Sequence, residues 1–219
     1  MIQEIYPNEF HFAGHDTFHL RYTWLPKAAD YIINNPGASL TKYEKVMMEL
    51  GIGRNMANSL RHWAESSQLF KKDLVTHIHD FTDMGKYLFL NDGGLDPYLE
   101  MPNTNWLLHY LITSNHKKNG LWFYLFNVFN ETIIIKDEFL FSANNWFKDQ
   151  NVKVNPGTLE RDFQCCMNMY DSEKIKSSKE PESSLSSPFR ELKLLKKVGE
   201  NYRLRTLNSM EISPAIFSF

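Results

Sequence analysis

The sequence predicts a mainly α-helical fold with small β wings, arranged as two helical units around a central helical body. Apolar residues recur at intervals of three and four through most of the chain, which is the spacing of an amphipathic helix. Glycine and proline pairs such as Pro36-Gly37 divide these segments into short helices. Twice, a pair of predicted helices is followed by short strand-like runs. A chain of 219 residues with a hydrophobic fraction of 42% suffices for one large domain or two small ones.

The first unit is assigned to residues 1–95 and begins with a predicted helix in LPKAADYIINN. The next helix starts near Thr41, and Glu44 three residues later completes a capping-box pattern. The sequence GIG at residues 51–53 predicts a tight turn, after which another helix begins. The apolar face of that helix consists of Met56, Leu60, Trp63 and Ala64.

A β-hairpin is predicted in LFKKDLVTHIHDF, directly after this helix. Two short helices joined by a glycine turn, the second with a polar and basic outer surface, form the helix-turn-helix pattern. A hairpin that follows such a pair makes a winged helix, which places its second helix in the major groove of DNA. Winged helices also serve as protein-docking modules, so both interpretations stay open for this unit.

Two aromatic-rich helices, in NTNWLLHYLITSN and GLWFYLFNVFNE, form the central body assigned to residues 96–130. Residues 131–219 are predicted to form a second winged-helix-turn-helix-like unit. Its predicted helices lie in KDEFLFSANNWFKDQ and GTLERDFQCCMNMYD, the latter capped by Thr158. An exposed loop is predicted in SEKIKSSKEPESSLSSP, and a strand pair around Gly199-Glu200 follows it.

The distribution of charge, more than its sum, bears on nucleic-acid binding. The formal net charge is −2, but DNA binding requires only a basic face, and asparagine side chains on a helix are able to read base edges. The residues predicted to contact DNA are Arg54, Asn55, Asn58, Arg61, Lys71 and Lys72 in the first unit, and Arg161, Lys196 and Lys197 in the second. The alternative for such residues is an ordinary solvated surface.

A cytoplasmic location without a membrane partner is expected. The N-terminus MIQEIYPNEF lacks the basic and apolar regions of a signal peptide, and the longest apolar run, at residues 121–126, is too short to span a bilayer. The two cysteines, Cys165 and Cys166, are neighbours in the chain. Because adjacent cysteines rarely bridge and two sulfurs do not complete a zinc site, they are predicted to be buried free thiols.

The segment GHDTFHLR contains the candidate catalytic residues His15, Asp16 and Arg21. If the segment is helical from Asp16, then His15 and His19 lie one turn apart and are able to share a metal ion. Asp16 would then act as a third ligand or as a general base, while Arg21 holds a phosphate. Asp96 and Glu100 are further carboxylates to complete such a site.

A structural interpretation of the same segment stays open beside the catalytic one. Asp16 or Thr17 is suited to cap a helix that runs into LRYTWL, with His15 bonded to backbone at its start. The sequence assigns no complete set of metal ligands.

Three segments, in order, resemble one bacterial family: FAGHDTFHLRYTWLPK, GIGRNMANSLRHWAESSQLF and LDPYLEMPNTNWLLHYLI. TLERDFQCCMNMY is similar to a later helical block of that family. It is the SspB-like family of DNA phosphorothioation systems, first described as a domain of unknown function. The matching positions are Gly14, His15, Phe18, Arg21, Trp24, Gly51, Gly53, Asn55, Arg61, Trp63 and residues 96–100. Family members usually carry glutamate in place of Asp16 and often proline in place of His19. The chain ends sooner than those members, which predicts a short member or a truncated sequence.

The resemblance implies a double-stranded-DNA-binding component of a bacterial phosphorothioation and phage-defence system. It further implies work with an ATPase, an ATP-pyrophosphatase and a cysteine desulfurase, in which DNA nicking would open the strand to be modified. If the protein is such a nicking endonuclease, a divalent metal, Mg²⁺ or Mn²⁺, is the expected cofactor. The main alternative is a winged-helix transcription regulator or adaptor that binds DNA without cutting it. A third is a protein-docking module with no affinity for DNA.

Overall fold

A computed structural model of the chain describes residues 9–90, 93–173 and 186–205. The helices are α1 Trp24–Asn34, α2 Tyr43–Leu50, α3 Arg54–Ser66, α4 Asp83–Phe89, α5 Pro102–Ser114, α6 Gly120–Asn127, α7 Lys136–Asp149 and α8 Pro156–Tyr170. The strands are β1 Phe70–Lys72, β2 His79–Phe81, β3 Ile133–Ile134, β4 Leu195–Val198 and β5 Asn201–Leu204. The prediction of a mainly helical fold with small antiparallel sheets is confirmed.

In the N-terminal part, α1 and α2 pack on α3, and the hairpin of β1 and β2 follows α3. Val46 of α2 and Trp63 of α3 are fully buried, as their helical spacing predicts. Gly51 adopts a left-handed conformation, φ +63°, between α2 and α3, which explains the glycine there. The predicted capping box is wrong. α2 begins at Tyr43, and the Thr41 hydroxyl is hydrogen-bonded to Ser39 Oγ at 2.7 Å.

In the C-terminal part, a three-stranded antiparallel sheet has the order β3-β5-β4. Ile134 lies opposite Tyr202, and Leu195 lies opposite Leu204. Helices α7 and α8 pack on each other, and α8 also contacts β4. The predicted cap at Thr158 is wrong. The Asn155 side chain instead accepts a hydrogen bond from the Gly157 N–H at 2.9 Å, because α8 already begins at Pro156.

The aromatic helix α6 lies at the centre of the core, as predicted. Trp122 and Leu121 are completely buried, and α6 contacts both α5 and α8. A continuous cluster of buried apolar residues extends from α1 through α6 to α8. Cys165 and Cys166 are buried free thiols, which confirms that prediction. The boundaries at 95 and 130 between the three predicted parts stay a prediction.

The serine-rich segment at residues 172–188 is only partly described, since residues 174–185 lie outside the described residues. Ser187 and Pro188 at its end are buried, so the predicted exposed loop does not extend that far. Within the described ranges, none of the helices has the length and apolar character needed to cross a membrane.

Candidate functional site

The segment that carries the candidate catalytic residues is a tight loop and not a helix. Ala13, Asp16 and Thr17 have positive φ angles of 59°, 43° and 68°, which a right-handed helix excludes. Among the described residues, the first helix begins only at Trp24. The predictions that Asp16 or Thr17 caps a helix, and that His15 and His19 stand one helical turn apart, are therefore wrong.

His15 fastens this loop to α8. Its imidazole is buried, and Nε2 lies 3.0 Å from Asp162 Oδ1. Its Nδ1 accepts a hydrogen bond from the Thr17 N–H at 3.1 Å, so the ring donates from Nε2 to the carboxylate. The same carboxylate oxygen accepts the Ala13 N–H at 2.9 Å. The ring also stacks on Trp63 of α3, with centroids 6.1 Å apart, so His15 joins the loop to two helices at once.

Asp16 is held from the other side by α3. Its Oδ2 accepts a hydrogen bond from Asn58 Nδ2 at 2.5 Å. Asn58 Oδ1 in turn accepts from Tyr43 Oη at 2.9 Å and from Arg61 Nη2 at 2.8 Å. Arg61 also lies 4.0 Å from the Glu65 carboxylate. Asn58 and Arg61, both predicted to contact DNA, are thus partly buried members of a network that positions Asp16.

These contacts shape a cleft of about 210 Å³ between the loop, α3 and α8. We call it the α3–α8 cleft, and it is lined by Ala13, His15, Asp16, Thr17, Asn55 and Arg161. The structure therefore brings together the predicted catalytic residues His15 and Asp16. It also brings two predicted DNA-contacting residues to the same cleft, Asn55 of α3 and Arg161 of α8. The cleft presents an amide, a guanidinium and a carboxylate, which suits a polar or phosphorylated ligand.

Arg21 does not line this cleft. Its guanidinium carbon lies 5.2 Å from the Trp24 ring centroid and 5.6 Å from that of Phe18, in cation–π contacts at the start of α1. The remaining predicted DNA-contacting residues lie elsewhere on the surface. Arg54, Lys71, Lys196 and Lys197 are exposed, Lys72 is partly buried, and Lys196 lies 3.6 Å from the Glu173 carboxylate.

Asp96 has a structural role before α5. Its two carboxylate oxygens accept hydrogen bonds from the Glu100 and Met101 N–H groups, both at 2.9 Å, and the residue is buried. It is therefore bound to its own turn. In the part of the chain that the structure describes, no three His, Cys, Asp or Glu side chains are grouped to hold a metal ion.

Sequence reasoning missed Asp162, although a signal for it exists. The residue lies between Leu159 and Cys166 on the buried face of α8, where an acidic side chain is rare unless it is hydrogen-bonded. A carboxylate at such a position indicates a buried polar partner, and that partner is His15.

His62 lies directly behind Gly14 and stays neutral in the folded protein. Burial is the main cause that lowers the pKa of His62 to about 3, and the neighbouring His15 and Lys118 add to it. A Cβ on Gly14 would lie only 2.4 Å from His62 Nδ1, which explains why glycine precedes His15. The loop thus rests on an uncharged imidazole.

This buried histidine predicts a pH dependence of stability. In the unfolded chain His62 gains a proton below about pH 6.5, whereas in the folded protein it does so only near pH 3, so the unfolded state binds more protons between these values. We therefore expect His62 to lower the free energy of unfolding by about 1.4 kcal/mol for each pH unit below 6.5. Urea unfolding at pH 7.5, 6.5 and 5.5, reported as a difference from His62→Gln, measures this slope.

The exposed His11→Gln variant provides the control for that slope. It is expected to keep the pH dependence of the parent protein. If His62→Gln also keeps the full slope, the imidazole of His62 is protonated in the folded state and the assignment is wrong.

The fold is similar to that of two solved structures of SspB. The first, described as an SspB crystal structure, aligns with a TM-score of 0.76 and 24% identity over 92% of this chain and 62% of that one. The second, a magnesium ion-bound SspB crystal structure, aligns with a TM-score of 0.74 and 23% identity over 90% and 60%. The chain thus spans less than two thirds of the length of SspB.

No curated protein matches this sequence. A family model described as a protein of unknown function, DUF4007, matches residues 12–219, which include every element of the fold and both walls of the α3–α8 cleft. The chain belongs to the DUF4007 family and has the fold of SspB.

Proposed function

We propose that this protein is a double-stranded-DNA-binding component of a bacterial DNA phosphorothioation and phage-defence system. The observation that carries the proposal is the α3–α8 cleft, where Asn55 and Arg161 face one opening from two different helices. The fold shared with SspB supports the assignment of the protein to a phosphorothioation system. The proposed partners are the ATPase, the ATP-pyrophosphatase and the cysteine desulfurase of such a system, in the cytoplasm.

The order of elements supports two winged-helix units. In the first, α2, a glycine turn and α3 are followed by the β1–β2 hairpin. In the second, the order β3, α7, α8, β4, β5 with the sheet order β3-β5-β4 is consistent with a winged helix and supports this proposal. In this proposal α3 and α8 are the DNA-contacting helices of the two units. Since residues of both line one cleft, one duplex would be contacted by both units.

The charges of the cleft attract a phosphate near Arg161 and the start of α3, and repel it near Asp16. Arg161 is exposed and able to pair with a phosphate oxygen, while α3 begins without a side-chain cap, so its first N–H groups are open to an anion. Asp16 repels a phosphate unless a cation lies between them. Mg²⁺ is commonly bound by one or two carboxylates together with substrate phosphates, so Asp16 fits as a single protein ligand.

Nicking is the second candidate function, and Asp16 at the cleft is the observation that favours it. A bound Mg²⁺ or Mn²⁺ would supply an activated water beside the phosphate. In this proposal Asp16 binds the metal ion and Arg161 orients the DNA backbone. His15 keeps the loop in place through its hydrogen bond to Asp162. In this proposal Arg21 has a structural role, because it packs against Phe18 and Trp24 and stabilises the loop.

DNA binding is tested by fluorescence anisotropy with a labelled duplex at two salt concentrations. We expect Arg161→Ala to weaken binding about fivefold and to reduce the salt slope by about one, because one phosphate contact is lost. Asn55→Ala is expected to weaken binding without a change in salt slope. Lys27→Ala, an exposed charge on α1, is the matched control. If both cleft variants bind DNA as tightly as the parent protein, the DNA-binding surface lies elsewhere. If the parent protein shows no salt-dependent binding at all, it is a protein-docking module.

Nicking is tested on supercoiled plasmid with Mg²⁺, with Mn²⁺ and with EDTA. Asp16→Asn keeps an oxygen that accepts from Asn58 and removes the charge, so it separates chemistry from folding. Relaxed circles that disappear with EDTA and with Asp16→Asn support the nickase. A plasmid that stays supercoiled while salt-dependent binding persists identifies a non-enzymatic regulator or adaptor.

A further inference from the structure

A second and larger cleft, of about 420 Å³, lies between the end of α6 and the exposed side of α7. We call it the α6–α7 cleft. It is lined by Tyr124, Val128, Phe129, Asn130, Glu131, Phe141, Ser142, Asn145, Trp146 and Asp149. Among the described residues, it shares none with the α3–α8 cleft, so the two described surfaces are separate.

The lining combines aromatic rings with negative charge. Four of the described residues that line the cleft are aromatic, and Phe141 is 70% exposed, which is unusual for a phenylalanine on a helix. Glu131 and Asp149 supply two carboxylates, while none of the described residues that line the cleft is a lysine, an arginine or a histidine. Within the described ranges, neither carboxylate forms an ion pair with another residue.

The walls of the cleft are fixed by packing. The Tyr124 and Trp146 rings lie 5.5 Å apart, and Trp146 packs edge-on against the buried Phe147 at 5.1 Å. The Tyr124 hydroxyl is hydrogen-bonded to Ser142 Oγ at 2.8 Å, which ties α6 to α7. Burial and the nearby Glu131 carboxylate raise the pKa of Tyr124, so this hydroxyl stays protonated. A ligand therefore meets a preformed site and loses little binding energy to reorganisation.

We infer that the α6–α7 cleft is a docking site for a segment of a partner protein that presents an arginine side chain beside an apolar one. A guanidinium stacks on aromatic faces and donates to carboxylates, and this cleft offers both kinds of group. The exposed Phe141 ring provides the contact for the apolar neighbour of the arginine. Nucleic acid is disfavoured because its phosphates would face two carboxylates.

The inference does not depend on DNA binding by the α3–α8 cleft. The probe is the capped tripeptide acetyl-Leu-Arg-Leu-amide, titrated into the full chain while the indole N–H resonance of Trp146 is followed by NMR. The chain has 5 tryptophans, and Trp146→Phe identifies this resonance. The same tripeptide with citrulline in place of arginine keeps the shape but removes the charge. We expect the arginine peptide to shift the Trp146 resonance and to bind about tenfold more tightly than the citrulline peptide.

Charge-removing variants give the second arm of the test. Glu131→Gln with Asp149→Asn is expected to weaken the arginine peptide about fivefold and to leave the citrulline peptide unchanged. The matched control is Asp137→Asn with Glu138→Gln, two exposed acidic residues on the first turn of α7 that do not line the cleft. An unchanged circular dichroism spectrum and an unchanged midpoint of urea unfolding show that these variants are folded, whether or not the protein binds DNA.

Three outcomes would overturn the inference. The first is no shift of the Trp146 resonance with the arginine peptide, and the second is equal binding of the arginine and citrulline peptides. The third is a shift produced by a single-stranded oligonucleotide at lower concentration than by the peptide, which would make the cleft a base-stacking site.

Discussion

Replacing Asp162 by alanine is expected to lower the free energy of unfolding by about 3 kcal/mol, because two donors lose their acceptor in the interior. The His15 imidazole and the Ala13 N–H both donate to Asp162 Oδ1, and His15 and Asp162 are each only 1% exposed. Each buried donor left without a partner costs about 1–3 kcal/mol. Urea unfolding at pH 7.5 measures the difference. The same variant is expected to lose the salt-dependent DNA affinity that Arg161 contributes, since the loop no longer closes the cleft.

Asp162→Asn separates the hydrogen bonds from the charge. Its amide oxygen still accepts from Ala13 and His15, so a loss of about 1 kcal/mol is expected. Asp137→Ala, on the exposed first turn of α7, is the control and is expected to change stability by less than about 0.5 kcal/mol. If Asp162→Ala is as stable as the parent, the loop is not fastened through this carboxylate and the account of His15 fails.

Replacing Gly14 by alanine is expected to destabilise the protein by about 2–3 kcal/mol, by overpacking. The added Cβ would lie 2.4 Å from His62 Nδ1 and 2.9 Å from Cε1. His62 is 6% exposed and packs edge-on against Trp63 with centroids 4.9 Å apart, so the ring has little room to move. Thermal and urea unfolding measure the loss.

A double-mutant cycle tests the cause. His62→Ala removes the ring that the new methyl group would meet, so Gly14→Ala should be much less harmful on that background than on the parent. Gly53→Ala is the control glycine, because a Cβ there meets no atom within 4 Å, and its change is expected to stay within about 1 kcal/mol. Additive effects of Gly14→Ala and His62→Ala would exclude a clash between the two positions.

Periodicity predicted the helices well because each is a local pattern. The buried faces of α1 and α3, the glycine turn before α3, the hairpin after it and the aromatic α6 all follow from residues within one segment. The helix ends were less well predicted. At Thr41 a nearby Ser39 binds the hydroxyl that the capping box requires, and at α8 Asn155 competes successfully with Thr158. Such competition between neighbouring polar side chains is decided by backbone geometry that the sequence pattern does not contain.

The loop at residues 13–17 was predicted as a helix start for a different reason. Its conformation is determined by contacts with Asp162 and Asn58, which lie 147 and 42 positions away from their partners His15 and Asp16. A local pattern of cap-forming residues gives no information about such distant contacts. The candidate site was therefore only partly predictable. His15, Asp16, Asn55 and Arg161 meet at one cleft, whereas Asn58 and Arg61 support it from within, and Asp162 was missed.

The contact between His15 and Asp162 also has a consequence for biosynthesis. A chain is made from its N-terminus, and N-terminal parts begin to fold during translation. The ribosome adds Asp162 147 residues after His15, so the loop at residues 13–17 obtains its partner only after this whole stretch has been synthesised. Nascent chains that end before α8 lack one wall of the α3–α8 cleft. Completion of this surface is thereby tied to synthesis of α8, and prematurely terminated products would not carry it.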